Sequence, residues 1–475
     1  MRALAYAHSL TANSLTAHSL TANSLSADSA GPNPTNFDYG SETLWIILLK
    51  TIVLFAFLMV VAMIMVWWER RLISFMQYRL GPNRHGPFGL MQALVDGLKI
   101  TFKEEIIPTL ADKPVYWIAP VLSAVPAFVT FAVIPFGPVV SIAGHHTPLQ
   151  LTDFGVAVLL SLACSSMGVY GVVLAGWASH STYPLLGGLR AAAQMVSYEI
   201  AMGLALASVF VLAGSLSPSV IVSQQHDLWY AIALLPSLII YMIAGVAEIN
   251  RVPFDLAEGE GEIVGGYHTE YSSMKFVLFY ISEYLNMTAV AALVVTLFFG
   301  GWRSPWPISI WSGSNSGWFP LIWFLIKLAI AMSVFVWIRA TLPRLRYDQL
   351  MALGWKVMVP AALAWLLLVS TLQGLRAANK SNITVALSIG IPVMVLIGIW
   401  WIWDEKHARD IAARDEARTE AAVTAGSFPT PPMDLVVPPS PRLAVTAATP
   451  AGGAATEPNP EGDGPADSPG DAPHV

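Results

Sequence analysis

The chain has 475 residues, a formal charge of −6 and only 12% charged residues, against about 25% in ordinary soluble domains. With a mean hydropathy of +0.58, this composition excludes an ordinary soluble globule, and the negative charge argues against a nucleic-acid partner. One cysteine, Cys164, excludes an internal disulfide and a four-thiolate iron–sulfur cluster.

Residues 1–40 carry a five-residue repeat, AHSLT, ANSLT, AHSLT, ANSLS, over 7–26. One Leu per unit cannot build a core, and no apolar stretch of signal-peptide length follows Arg2. The segment reads as a disordered extension or as the product of a wrongly chosen start codon.

A spanning helix needs about 20 apolar residues. Nine segments qualify: 44–68, 115–135, 154–177, 191–214, 229–248, 276–299, 318–340, 357–374 and 383–403. The prediction is an all-α polytopic membrane protein with eight or nine spans, occupying 41–403. Tryptophans such as Trp45, Trp117 and Trp318 sit near span ends, where indoles favour the interface. The ten histidines all lie outside the spans, which argues against a bis-histidine haem in the membrane.

Between the first two spans, residues 89–105 are too polar to cross. Leu90, Leu94, Leu98 and Phe102 recur at four-residue steps, so this segment is expected as an amphipathic helix on the surface. With the N-terminus outside, inner segments hold nineteen Lys and Arg and outer ones four. The positive-inside rule then puts the C-terminus in the cytoplasm. The outer loops read as short and plain, so function is expected on the inner side. Residues 404–475 turn charged and then Pro-, Ala- and Gly-rich, and read as a disordered tail.

The segment 248–270 breaks the positive bias. Glu248, Asp255, Glu258, Glu260, Glu262 and Glu270 face one base, Arg251, for a net −5 over 23 residues. Two readings are open: a solvated charge run, or crowded carboxylates with raised pKa values that exchange protons near neutrality. Glu199 and Glu283 extend the pattern. Each lies within a span, about 10–14 Å from its inner end at 1.5 Å per residue. An ionisable group there is a functional hypothesis by default, with structural pairing to Arg or Lys as the alternative. Together with Glu248 at the inner rim, they suggest a polar path from the acidic loop into the membrane. Lys50 reads as a snorkelling residue, whereas Lys327 is too central for that and calls for a buried partner.

Four segments, ERRLISFMQYRLGPNRHGPFGLMQALVDGLKITFKE (69–104), YPLLGGLRAAAQMVSYE (183–199), AEINRVPFDLAEGEGEIVGGYHTEYSSMKF (247–276) and IRATLPRLRYDQLMALGWK (338–356), resemble the H-subunit family of bacterial NADH:quinone oxidoreductase (respiratory complex I), homologous to mitochondrial NADH dehydrogenase subunit 1. The resemblance implies a bacterial plasma-membrane subunit that holds no cofactor and translocates protons only within the assembled enzyme. The implied substrate is ubiquinone or menaquinone. The implied partners are neighbouring membrane subunits and a hydrophilic arm carrying the terminal iron–sulfur cluster. By that pattern Glu69, Arg70, Arg79, Arg251, Phe254 and Asp255 line the quinone tunnel. Glu199, Glu248, Glu258, Glu260, Glu262 and Glu283 form the proton path, and Arg339, Arg344, Arg346 and Asp348 contact the hydrophilic arm. His180 and Ala257 depart from the common Asn and Pro, and neither removes a motif acid. A related membrane-bound hydrogenase or deazaflavin-linked dehydrogenase is one alternative. A proton-coupled secondary transporter is the other, although no internal repeat supports it.

Overall fold

The computed structural model describes Tyr39 and residues 42–377, except 143, 227, 256–263, 307, 311 and 312. All of these belong to one unit, Met1–Gly390. The ninth apolar segment, the N-terminal repeat and the C-terminal tail lie outside the described residues, as do Glu258, Glu260 and Glu262.

Among the described residues, seven helices are long and apolar enough to cross a membrane. They are α1 (Leu44–Met76), α3 (Lys113–Thr130, continuing as a tight turn to Val133), α4 (Ala157–Ala178), α5 (Thr182–Ala213), α9 (Ser273–Phe298), α10 (Phe319–Thr341) and a composite span. The composite span runs from α11 (Tyr347–Ala352) through a π turn (Leu353–Met358) into α12 (Val359–Ala377). Eight of the nine predicted spans thus coincide with helices, the fifth of them shorter than expected.

That shorter helix is a departure from expectation. The segment predicted as one span over 229–248 is two pieces, α7 (Tyr230–Ala233) and α8 (Leu235–Glu248). Leu234 between them is non-helical (φ −118°, ψ 40°). Pro236 supplies the reason: it has no N–H for the Ile232 carbonyl and its ring clashes with that carbonyl, so a helix cannot run through it, whereas it is tolerated in the first turn of a new one. At 1.5 Å per residue α8 is about 21 Å long, short of the roughly 30 Å hydrocarbon thickness.

At about 50 Å, α1 is longer than that thickness, so Glu69, Arg70 and Arg71 emerge at its C-terminal end. The predicted surface helix is α2 (Met91–Thr101), which has no buried residue. The helices pack around α9, the most buried of the spans, while α1 is the least. Contacts between α3, α4 and α5 are close because small residues allow it. A Cβ on Gly171 would lie 2.8 Å from the Ser123 backbone, and one on Gly176 would lie 2.5 Å from the Pro184 carbonyl. A Cβ on Gly187 would lie 2.7 Å from Gly266, so the later part of the acidic segment rests directly on α5.

One loop is more structured than predicted. Residues 137–149 form an antiparallel hairpin, β1 (Gly137–Ile142) with β2 (His145–Leu149), in register Val140 to Thr147 and Ile142 to His145. The short helix α6 (Pro218–Gln224) follows α5.

Candidate functional site: a buried charge network and a chain of acids

Glu69, near the end of α1, is 4% exposed and carries three partners. Arg251 donates to it (2.8 Å), Tyr284 donates to it (2.7 Å), and Arg339 of α10 reaches its other oxygen. Arg251 also donates from Nε to Glu283 (2.5 Å), and its guanidinium lies 4.2 Å from the Tyr284 ring centre. Burial opposes its charge, but Glu283 and Glu69 outweigh burial and hold the guanidinium well above its ordinary pKa. Two carboxylates on different helices therefore share one permanent cation, with Arg339 as a second cation on Glu69. Such a cluster is held only while all its charges are matched.

The turn that carries Arg251 is fixed from two sides. Gln194 of α5, fully buried, donates its amide to the carbonyls of Ala247 (2.7 Å) and Phe254 (2.6 Å). The Leu345 backbone N–H donates to Pro253 (3.0 Å). Phe254 is buried with its ring 5.7 Å from that of Tyr198, so it packs in the core beneath the turn. Sequence reading did not single out Gln194. An amide inside a spanning helix must find partners within the protein, and that was the available signal.

Behind the network lies a cavity of about 30 Å³, lined among others by Glu283, Asn286, Ser282, Glu248 and Asn250. That is room for a water. Glu248 Oε2 and Asn250 Oδ1 are buried with no hydrogen-bond partner among the described residues. The other Glu248 oxygen accepts from Ser165, and the next residue, Ser166, donates to Glu199. The order in space is thus Glu69, Arg251, Glu283, cavity, Glu248, Ser165, Ser166, Glu199. All four of these predicted acids thus lie along one line of polar side chains, made of the bonded run Glu69–Arg251–Glu283 and the neighbouring pairs Ser165–Glu248 and Ser166–Glu199.

The remaining predicted residues are placed differently. Arg70 pairs with Asp96 of α2 (2.5 Å), tying the surface helix to α1. Arg79, Arg344, Arg346 and Asp348 are exposed, and Asp255 is half-buried. Arg339, expected among the arm contacts, is part of the Glu69 network.

At the other end of the bundle, Lys50 reaches the extramembrane end of α1 but does not finish in water. It is closed on Glu42 (2.6 Å) and on the Gln150 carbonyl (3.2 Å). Lys327 has the buried partners it was expected to need, namely the carbonyls of Phe299 (2.7 Å), Gly301 (3.0 Å) and Arg303 (2.6 Å). Among the described residues no group of three His, Cys, Asp or Glu side chains could hold a metal ion.

A family model described as NADH dehydrogenase matches residues 49–370. A relative from Streptomyces avermitilis, named as the H subunit of NADH-quinone oxidoreductase, is 50% identical over 411 residues, covering 85% of this chain and 90% of the relative. The family match takes in Glu69, Glu199, Glu248, Arg251, Glu283 and Arg339, and the chain belongs to the NADH dehydrogenase family.

Proposed function

We propose that this chain is the quinone-site membrane subunit of a complex I-type NADH:quinone oxidoreductase in the bacterial plasma membrane. In this reading the N-terminus faces outside and the C-terminus the cytoplasm. A long-tailed quinone, ubiquinone or menaquinone, enters from lipid between α1, α2 and α9. Its head is reduced on a neighbouring subunit that carries the terminal iron–sulfur cluster. This chain supplies no redox group. It admits quinone and moves protons.

The observation that carries the reading is the position of Arg251. It joins Glu69, at the end of α1 beside α2, to Glu283, at the head of the acid chain. Quinone reduction consumes two electrons and two protons, which changes the charge balance beside such a cluster. A shift of Arg251 toward Glu69 takes from Glu283 the cation it is bonded to. In this proposal a proton taken up there passes by water in the cavity to Glu248 and on, past Ser165 and Ser166, to Glu199. The acids of the preceding loop, Glu258, Glu260 and Glu262, feed this route in the same proposal. Asp255 and Arg79 face the quinone path, and Arg344, Arg346 and Asp348 meet the hydrophilic arm.

The test is purification from native membranes through a tag on this chain. The proposal requires flavin, iron–sulfur clusters and NADH:quinone reductase activity in the purified material. Co-purification with a hydrogenase, or of the chain alone, contradicts it.

A further inference from the structure

The surface helix α2 has no buried residue, so packing does little to fix its angle. Its apolar Leu94, Val95 and Leu98 are 42%, 50% and 48% exposed. What orients it is a set of ties at its two ends. On the α1 side, Arg70 binds Asp96, and Trp67 (3.0 Å) and Arg71 (3.1 Å) donate to the Phe88 carbonyl just before the helix.

On the α9 side the ties are denser. Ser273, at φ +51°, donates to the carbonyl of Thr101, the last residue of α2. That left-handed backbone is uncommon outside glycine. Ser272 Oγ accepts from the Ile106 N–H (2.8 Å) and donates to the Ile106 carbonyl (3.2 Å). Lys275, only 2% exposed, pairs with Glu105. Its ammonium sits 3.8 Å from the Trp117 ring centre and 4.7 Å from that of Tyr116, an aromatic cage that attracts a cation. Tyr116 in turn donates to the Glu270 carbonyl (2.6 Å) and stacks on Tyr271 at 4.1 Å. The staple thus joins the end of α2, the start of α3, the start of α9 and the segment leaving the acidic stretch.

We propose that the Lys275–Glu105 staple sets the angle of α2 and so the width of the lipid-facing opening, making Lys275 and Glu105 positioning residues for long-tailed quinone. This rests on the proposed quinone opening between α1, α2 and α9. Neither residue touches the acid chain or its network, so neither alters proton transfer. Loosening the staple lowers the fraction of molecules with the opening competent, which raises apparent KM in proportion.

The experiment uses the whole complex in native membranes, with Lys275→Met, Lys275→Arg and Glu105→Gln. The probes are the quinone extracted from the host membrane and a short-tailed water-soluble analogue. Lys275→Met and Glu105→Gln are expected to raise KM for the native quinone roughly three- to tenfold, the range that losing a caged ion pair gives. The kcat, the KM for the short analogue and NADH:ferricyanide activity stay at the wild-type level. Lys275→Arg, which keeps the charge and the aromatic contact, restores most of the native KM. Unchanged KM in both Lys275→Met and Glu105→Gln, or a fall in kcat alone, overturns the proposal. Glu105 is partly exposed, so its variant remains informative if Lys275→Met fails to assemble. A photoreactive long-tailed quinone separates the two readings in the wild type. No labelling of α1 or α2 overturns the quinone opening itself, whereas labelling with unchanged variant KM overturns the staple alone.

Discussion

At the end of the bundle where α1 begins, Lys50 is closed by Glu42, and Thr147 and Gln150 fasten the pair to the β hairpin and the residue after it. Nearby, Lys327 is wrapped by three carbonyls at the end of α9. At the opposite end, Glu69 and Glu283 share Arg251, and Glu248 and Glu199 are bonded to serine hydroxyls. Both ends bury charge. At the first, each lysine has fixed local partners, so nothing is left to exchange. At the second, acids outnumber bases along a polar chain that includes a water-sized space. Burial of an ion pair is therefore weak guidance to function here. What separates the ends is that at the second two carboxylates are bonded to one guanidinium.

That contrast breaks most sharply on substitution of Arg251. Arg251→Met leaves Glu69 with Tyr284 and the partly exposed Arg339, and takes from Glu283 the guanidinium it shares. Stability should fall by about 3–5 kcal/mol, the penalty for stripping one partner from a buried pair. The check is the thermal midpoint and yield of the assembled complex. At the other end, Lys50→Met should cost about 3 kcal/mol by the same reasoning. Adding Glu42→Gln should recover most of that loss, and turnover per assembled complex should stay at the wild-type level. A drop in turnover per complex in the double variant would erase the distinction between the ends. Lys327→Met leaves three carbonyls without their donor. It should destabilise by about 1–3 kcal/mol, again with turnover per complex intact.

The last expected effect is a pH dependence. His268, beside the staple, is held by burial at a pKa of about 4 against an ordinary 6.5, so it is neutral in the folded chain near pH 7. The unfolded chain takes up the proton first as pH falls. Stability is therefore full above pH 6.5 and declines as pH drops from there toward about 4. His268→Gln should flatten that part of the melting curve against pH, and an unchanged slope would remove His268 from the account.

Most of the spans were legible because hydropathy alone marks them. The break at Leu234 was also written in the sequence, as Pro236, but length and apolarity outweighed it. The β hairpin was not legible, since six and five residues carry too little pattern. The acids of the candidate site were legible because a carboxylate in a span stands out. Their partners were not. Arg251 meets Glu69 across 182 positions and Glu283 across 32, and no local spacing encodes that. Gln194, uncharged and set among alanines, carried no motif beyond its polarity. Lys275 carries no motif either, since Trp117 and Glu105 lie far from it in the sequence.

The central claim is that Glu248 and Glu199 conduct protons linked to quinone reduction. The direct measurement is NADH-driven quinone reduction and proton uptake in membrane vesicles bearing Glu248→Gln or Glu199→Gln, beside NADH:ferricyanide activity on the same vesicles. Removing a proton-transfer group should lower quinone-linked turnover and proton uptake by at least about tenfold, with ferricyanide reduction unchanged. Wild-type turnover and proton uptake in both variants would contradict the account.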